Sequence, residues 1–188
     1  MADEIEQLSS EVVYRNRWMT VREDRIRRAD GHEGIYGVVD KHDYSLIVPF
    51  DGERLHLVEQ YRYPVGGRYW EFPQGMWETN ADAHPEEIAA GELAEETGLR
   101  AATWTPLGTF FQAYGYSGQS VHIFLATDLT PGERSPEPEE HGLVNGSFSV
   151  AELRSMVADG SIRDLTCVAA AHLFFQWLAR IQVVSDTT

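Results

Sequence analysis

Cysteine is nearly absent. The chain of 188 residues holds one, Cys167, so no internal disulfide can form. That fits a reducing, cytoplasmic setting. Cys167 lies in an apolar helical run, where a packed structural thiol is expected rather than a nucleophile. Cationic charge is scarce as well: 15 Lys and Arg stand against 30 Asp and Glu, for a formal net charge of -15 and a pI near 4.7. A dedicated binder of nucleic acid or of an anionic membrane needs a clustered cationic surface, so the balance argues against both. An acidic excess suits a protein that holds divalent cations, although a solvated surface produces it more often. No long apolar run is uninterrupted. The most apolar stretch, 165–184, is broken by His172, Gln176 and Arg180, so a buried or dimer-facing helix is expected there and not a membrane span. The opening "MADEIEQLSS" has neither a cationic start nor an apolar run, so no export signal is expected. Repeats, low-complexity tracts and an evident linker are also lacking. What remains, at 43% hydrophobic and 11% aromatic residues, is one globular domain with room for a small appended layer.

The first 63 residues read as strands. "TVREDRIRRADGHEGIYGVVDK" alternates polar and apolar residues around Asp30-Gly31, and "YSLIVPFDGERLHLVEQYRY" does so around Asp51-Gly52; both dipeptides favour hairpin turns. Tyr69–Phe72 is a further short strand, stopped by Pro73 and Gly75. A loop over 76–84 leads to a helix at about 85–97. Pro85 suits the first helical position, Glu86 and Glu87 face the positive end of the dipole, and Gly98 is a natural stop. "TWTPLGTFFQAYG" and "SVHIFLATDL" are two more strands, followed by an acidic, proline-rich loop at 131–142. Ser149 with Glu152 forms a capping box for a short helix, and Asp164 starts the last one. Strands, a helix, more strands and then helices give an α+β class: a mixed sheet sandwiched by helices, with an N-terminal antiparallel extension. The expected division is 1–45 for the N-terminal strands, 46–182 for the main domain and 183–188 for a flexible tail.

The stretch "GELAEETG", Gly91 to Gly98, is the densest chemical feature. Each helical residue advances about 100°, so Glu92, Glu95 and Glu96 line one narrow face. Ala89, Ala90, Leu93 and Ala94 can pack on a sheet. Such a face is either solvated, and mildly self-repelling, or a site for a hard cation such as Mg²⁺ or Mn²⁺, which prefers oxygen ligands and offsets the repulsion. Spacing alone leaves the two even.

With "EFPQG" before it, "GELAEETGL" resembles the signature of the Nudix hydrolases, a glycine-containing loop leading to a helix of the form Arg-Glu-apolar-x-Glu-Glu-x-Gly-apolar. Gly75, Glu92, Leu93, Glu95, Glu96, Gly98 and Leu99 match. The resemblance implies an α/β/α core and a Mg²⁺ cofactor, with Mn²⁺ as a substitute. It makes Glu92 and Glu96 the main metal ligands, with Glu95 close by and the Gln74 carbonyl as a further ligand. Two positions depart from the pattern. The family's arginine is Gly91, and its loop glutamate is Ala83, for which Glu78 or Asp82 would have to stand in. The lost i,i+4 ion pair to Glu95 is worth roughly 0.2–0.5 kcal/mol, and a mid-helix glycine costs about 1 kcal/mol against alanine. Both are stability effects that leave the acids in place, so Gly91 is read as tuning the site and not as its loss.

The flanks point to a branch. "VEQYRYPVGGRYWEFPQG", "GTFFQAYGYSGQSVHIFLATDL" and "GSIRDLTCVAAAHLFFQWL" resemble the ADP-ribose pyrophosphatases, a likeness covering roughly 12–182. Members of that branch also cleave other nucleoside diphosphate sugars. The resemblance implies hydrolysis of the diphosphate linkage of ADP-ribose or a similar nucleotide sugar, giving AMP (or another NMP) and a sugar phosphate. A pyrophosphatase for a GDP- or UDP-sugar is the close alternative. Arg62 and Arg68 would grip phosphate oxygens, for which a guanidinium fork is well shaped, and Glu71 would contact base or metal. The general base is expected in "SPEPEEHG", with Glu139 and Glu140 as candidates beside Glu95 in the helix. The N-terminal strands are expected to exchange between the subunits of a homodimer, with Tyr14 or Trp18 stacking on adenine. A catalytically weak ligand sensor of the same fold is the alternative from another class. Regulatory sensors usually carry a DNA-binding domain, and only two helices of no marked basicity follow residue 150.

Overall fold

In the computed structural model, residues 4–77, 83–135 and 142–185 are described. Among the described residues, ten strands, three α-helices and one short 3-10 helix (Tyr63–Val65) fall into two compact units, one formed by residues up to Asp43 with Phe110–Val121, the other by Tyr44–Thr109 and the chain from His122 onward.

The first unit is a three-stranded antiparallel sheet, β1 (Ile5–Arg15), β2 (Thr20–Arg28) and β3 (Glu33–Asp40), in that order. Asp30-Gly31 makes the β2–β3 turn, with Gly31 at φ +88°. The arginines that alternate along β2 pair with acids on the neighbouring strands: Arg27 meets Glu6 at 3.0 Å and Glu33 at 2.9 Å, and Arg22 meets Asp40 at 2.9 Å. These cross-strand pairs fix the register more than they stabilise, since exposed ion pairs contribute little. The 110–121 segment is tied in through Tyr116 C=O, which accepts from Val39 N–H at 2.8 Å, and through the Tyr36 hydroxyl, which donates to Gly115 C=O at 2.9 Å.

The second unit holds two sheets. One has the order β7–β4–β9–β8 and the other β10–β5–β6. β4 (Tyr44–Pro49) is buried at every residue. β5 is Arg54–Arg62, β6 Gly67–Glu71, β7 Gln74–Gly75, β8 Leu99–Phe111, β9 Ser120–Pro131 and β10 Val144–Ser149. Helix α1 (Pro85–Thr97) lays Ala89 and Leu93 on Ile47, Phe124 and Ala126 of the sheet. It begins with Pro85 behind a capping box made by His84 and Glu87, and it ends on Gly98 at φ +75°, a left-handed stop that only glycine adopts cheaply. Helix α2 (Val150–Asp159) starts at the expected Ser149–Glu152 box. Helix α3 (Leu165–Ser185) starts where the Asp164 carboxylate accepts from Cys167 N–H at 2.7 Å. It packs Phe174 edge-on against Phe50 with ring centroids 5.1 Å apart. Among the described residues no helix is long and apolar enough to cross a membrane.

The class expected from the sequence, mixed sheets with helices and a separate N-terminal antiparallel sheet, is the one observed. Two strands differ from the reading. β8 begins at Leu99, immediately after the helix stop, and β10 was not foreseen, because "VNGSFS" is short and carries a glycine. Its register comes from tertiary packing: Phe148 stacks edge-on against Trp70 at 4.8 Å, and the bare Gly146 makes room for both rings.

Candidate active site

The site forms where β7 passes the acidic face of α1. β7 is two residues long and pairs with β4 at Ser45↔Gly75 and Leu46↔Gln74. The Ser45 hydroxyl also donates to Pro85 C=O at 2.7 Å, fixing the start of α1 on the same strand. Because Ala89, Leu93 and Glu96 follow one another at i+4 and i+3, the stripe that seats α1 on the sheet carries Glu96 inward with it. Glu96 is 1% exposed and Glu92 6%, while Glu95, one step around, is half-buried. The acidic face is therefore not a solvated one.

Strand and helix approach closely. Gln74 N–H donates to the Glu96 carboxylate at 3.2 Å. A Cβ on Gly75 would come within 3.0 Å of both Glu92 carboxylate oxygens, so glycine is what lets the backbone pass. Buried carboxylates beside an edge-strand backbone make an all-oxygen, hard donor set that fits a hard divalent cation and not a soft metal. Among the described residues no three His, Cys, Asp or Glu side chains converge as a ready cation cage.

A second cluster adjoins the acids. Glu71 at the end of β6 is buried and accepts from Gln60 Nε2 at 2.7 Å, from Arg62 Nε at 3.1 Å and from Arg62 Nη2 at 2.6 Å. This is the bidentate fork that arginine forms with a carboxylate. Burial raises the Glu71 carboxyl above its ordinary range, against the pull of Arg62 and Gln60. Burial likewise disfavours the Arg62 charge, but Glu71, with Glu96 behind it, carries the guanidinium above its usual value.

The remaining candidates are placed as follows. Arg68 spends its fork on the protein: Nε donates to the Glu59 carboxylate at 2.8 Å, and Nη2 to Glu59 C=O at 3.0 Å and Gly142 C=O at 2.7 Å. Tyr14 and Trp18 are exposed at the β1–β2 turn, where Asn16 Oδ1 accepts from Trp18 N–H at 2.9 Å and the Arg17 guanidinium lies 4.2 Å over the indole. Glu139, Glu140, Glu78 and Asp82 lie outside the described residues. Cys167 is fully buried and accepts from Phe72 N–H at 3.3 Å; burial holds its thiol well above the ordinary range, as befits a packed, unreactive sulfur.

Trp77 was overlooked in the sequence. A Cβ on Gly91 would come within 3.0 Å of Trp77 Cζ2, so the indole occupies the space a side chain at 91 would need. The signal was present, since a glycine in the middle of an otherwise strong helix usually marks something packed against it.

Known families and proteins resemble this chain along most of its length. The model of the nucleoside diphosphate sugar hydrolase N-terminal domain matches residues 5–39, and that of the NUDIX domain matches 40–168. The chain is 33% identical to the ADP-ribose pyrophosphatase of Mycobacterium tuberculosis, over 88% of this chain and 81% of that protein. It is 27% identical to the ADP compounds hydrolase NudE of Escherichia coli, over 91% of each. A crystal structure of an ADP compounds hydrolase superposes with a TM-score of 0.85 at 24% identity, covering 94% of this chain and 95% of that one, and shares its fold. With the signature helix in place and the family model spanning most of its length, the chain belongs to the Nudix hydrolase family.

Proposed function

We propose that the protein hydrolyses the diphosphate linkage of ADP-ribose, or of a similar nucleoside diphosphate sugar, to a nucleoside monophosphate and a sugar phosphate. The observation that carries this reading is the buried Glu92–Glu96 pair pressed against Gly75, with the Arg62–Glu71 fork beside it. The names of the relatives at 33% and 27% identity support the substrate class.

Metal dependence is typical of this family, and Mg²⁺, with Mn²⁺ as a substitute, is the assignment that an all-oxygen set favours. Such an ion supplies charge neutralisation at the diphosphate and a water acidic enough to attack near neutral pH. Glu92 and Glu96 are assigned as its carboxylate ligands and the Gln74 carbonyl as a third. Half-buried Glu95, on the same helix face, is assigned to the adjoining water or ion. Arg62 presents to a phosphate oxygen the guanidinium edge that does not face Glu71, and Glu71 fixes its direction. Arg68 is assigned to holding Gly142, just before β10, more than to direct phosphate contact. The general base is assigned to Glu139 or Glu140 of the "SPEPEEHG" stretch. The N-terminal strands are assigned to a homodimer interface in the cytoplasm, with Tyr14 or Trp18 stacking on the base.

The test is AMP release from ADP-ribose with Mg²⁺ or Mn²⁺, beside a panel of GDP- and UDP-sugars and a Glu96→Gln control. Turnover of one diphosphate that disappears in the control supports the reading. No turnover of any of them, with Mn²⁺ still bound, overturns it in favour of a ligand sensor.

A further inference from the structure

Gly91 lies in the interior of α1, where glycine costs about 1 kcal/mol relative to alanine. It weakens the helix that carries Glu92, Glu95 and Glu96. The geometry above shows what bars a side chain: a Cβ there would lie inside 3.0 Å of Trp77 Cζ2, with Cε2 at 3.0 Å and Nε1 at 3.2 Å. A rigid indole cannot yield as the end of a flexible chain would, so any side chain at 91 must evict the ring. Trp77 is half-buried in this notch. It also covers the helix surface one turn before Glu95, where the family pattern places a cation.

Two residues upstream, Gly75 passes the Glu92 carboxylate at the same close range, and Gln74 N–H holds Glu96. β7 is held to the sheet by two residue pairs, the last of them Ser45↔Gly75, and by Ile47 N–H donating to Pro73 C=O at 2.9 Å just before it. Among the described residues no backbone hydrogen bond to another element continues past it. Beyond Gly75 the chain leaves the sheet, and the hydrogen bond from Gln74 N–H to Glu96 ties β7 to α1. We propose that Trp77, seated in the Gly91 notch, is the positioning residue that clamps Gln74–Gly75 against Glu92 and Glu96 and thereby sets the cation affinity of the site. The proposal rests on the reading that these carboxylates hold the cation.

The experiment measures Mn²⁺ binding to the substrate-free protein, by electron paramagnetic resonance or calorimetry, in wild type, Trp77→Ala, Trp77→Phe, Gly91→Ala, the double variant Trp77→Ala/Gly91→Ala, and Glu96→Gln. Residues that orient metal ligands typically change affinity by roughly 10–100-fold, and losses in that range are expected for Trp77→Ala and for Gly91→Ala. Trp77→Phe, which keeps a ring over the notch, stays near wild type. The double variant binds no worse than Trp77→Ala alone, because Gly91→Ala acts only by displacing the ring. Gly91→Ala should not lower the thermal midpoint beyond what eviction of the ring explains, since alanine favours the helix; Trp77→Ala against Trp77→Phe decides the matter if Gly91→Ala does not fold. Unchanged Mn²⁺ affinity in Trp77→Ala and Gly91→Ala, or losses that add in the double variant, would overturn the clamp. If Glu96→Gln loses Mn²⁺ while the Trp77 and Gly91 variants keep it, only the clamp fails. If Glu96→Gln binds Mn²⁺ like wild type, the assignment of the metal site itself fails.

Discussion

Replacing Glu71 by glutamine isolates what this buried carboxylate does for Arg62. The Glu71 side chain is 4% exposed and accepts three hydrogen bonds, at 2.7, 3.1 and 2.6 Å, two of them from one guanidinium. Glutamine keeps the shape and one acceptor oxygen, but turns an amide donor toward an arginine that also donates. A hydrogen bond to a charged group contributes about 1.5–3 kcal/mol. The Arg62 side chain is 42% exposed, so water replaces part of the loss, and a destabilisation of about 1–2 kcal/mol is expected. At about 2–4 °C per kcal/mol for a chain of this size, the thermal midpoint should fall by roughly 2–8 °C. In the ADP-ribose assay the loosened guanidinium lowers kcat/KM by about tenfold, equivalent to about 1.4 kcal/mol of lost transition-state binding. Mn²⁺ binding without substrate should hardly change. A variant that matches wild type in both midpoint and kcat/KM would refute the idea that Glu71 aims Arg62.

The same variant gives a pH test with a fixed sign. Burial holds the Glu71 carboxyl above its unfolded value of 4.5, so its contribution to stability is full below that pH and declines as pH rises through the folded value. The midpoint gap between wild type and Glu71→Gln should therefore be wider at pH 5 than at pH 8; the reverse would mean that Arg62 outweighs burial. Gly75→Ala forces a methyl against the Glu92 carboxylate. About 1–3 kcal/mol of overpacking and a loss of Mn²⁺ affinity should appear together in unfolding and calorimetry. Ser149→Ala removes the α2 cap, whose hydroxyl accepts from Glu152 N–H at 3.2 Å. It should cost about 1 kcal/mol in thermal unfolding and leave kcat/KM untouched, and a loss of activity there would place α2 closer to the chemistry than its position in the fold suggests.

Much of this protein is written locally. Pro85, the acids of the first turn and Gly98 bound α1 as observed, because a helix is limited by caps within a few residues of its ends. Asp30-Gly31, Asp51-Gly52 and the Ser149–Glu152 box fall where local conformation demands them, and the i+3 and i+4 spacing alone puts Glu92, Glu95 and Glu96 on one face. Spacing left open whether that face was wet. Its burial is decided by the inward pull of Ala89 and Leu93 onto Ile47, together with β7 crossing above.

Contacts between distant parts of the chain were less legible. Arg62 and Glu71 were read as separate substrate contacts, and the β5–β6 hairpin makes them one ion pair. β10 is set by Trp70 and Phe148 across two strands, not by the propensity of its own residues. Gly91 reads in the sequence as a lost arginine, and only the fold puts Trp77, which precedes the helix, in the space above it. The helix ends, the hairpin turns and the face on which the acids lie follow from dihedral preference and periodicity, so they are legible in the chain. Which acids are dry, which arginine is anchored and what fills the space at Gly91 depend on neighbours that the chain brings together only when it folds.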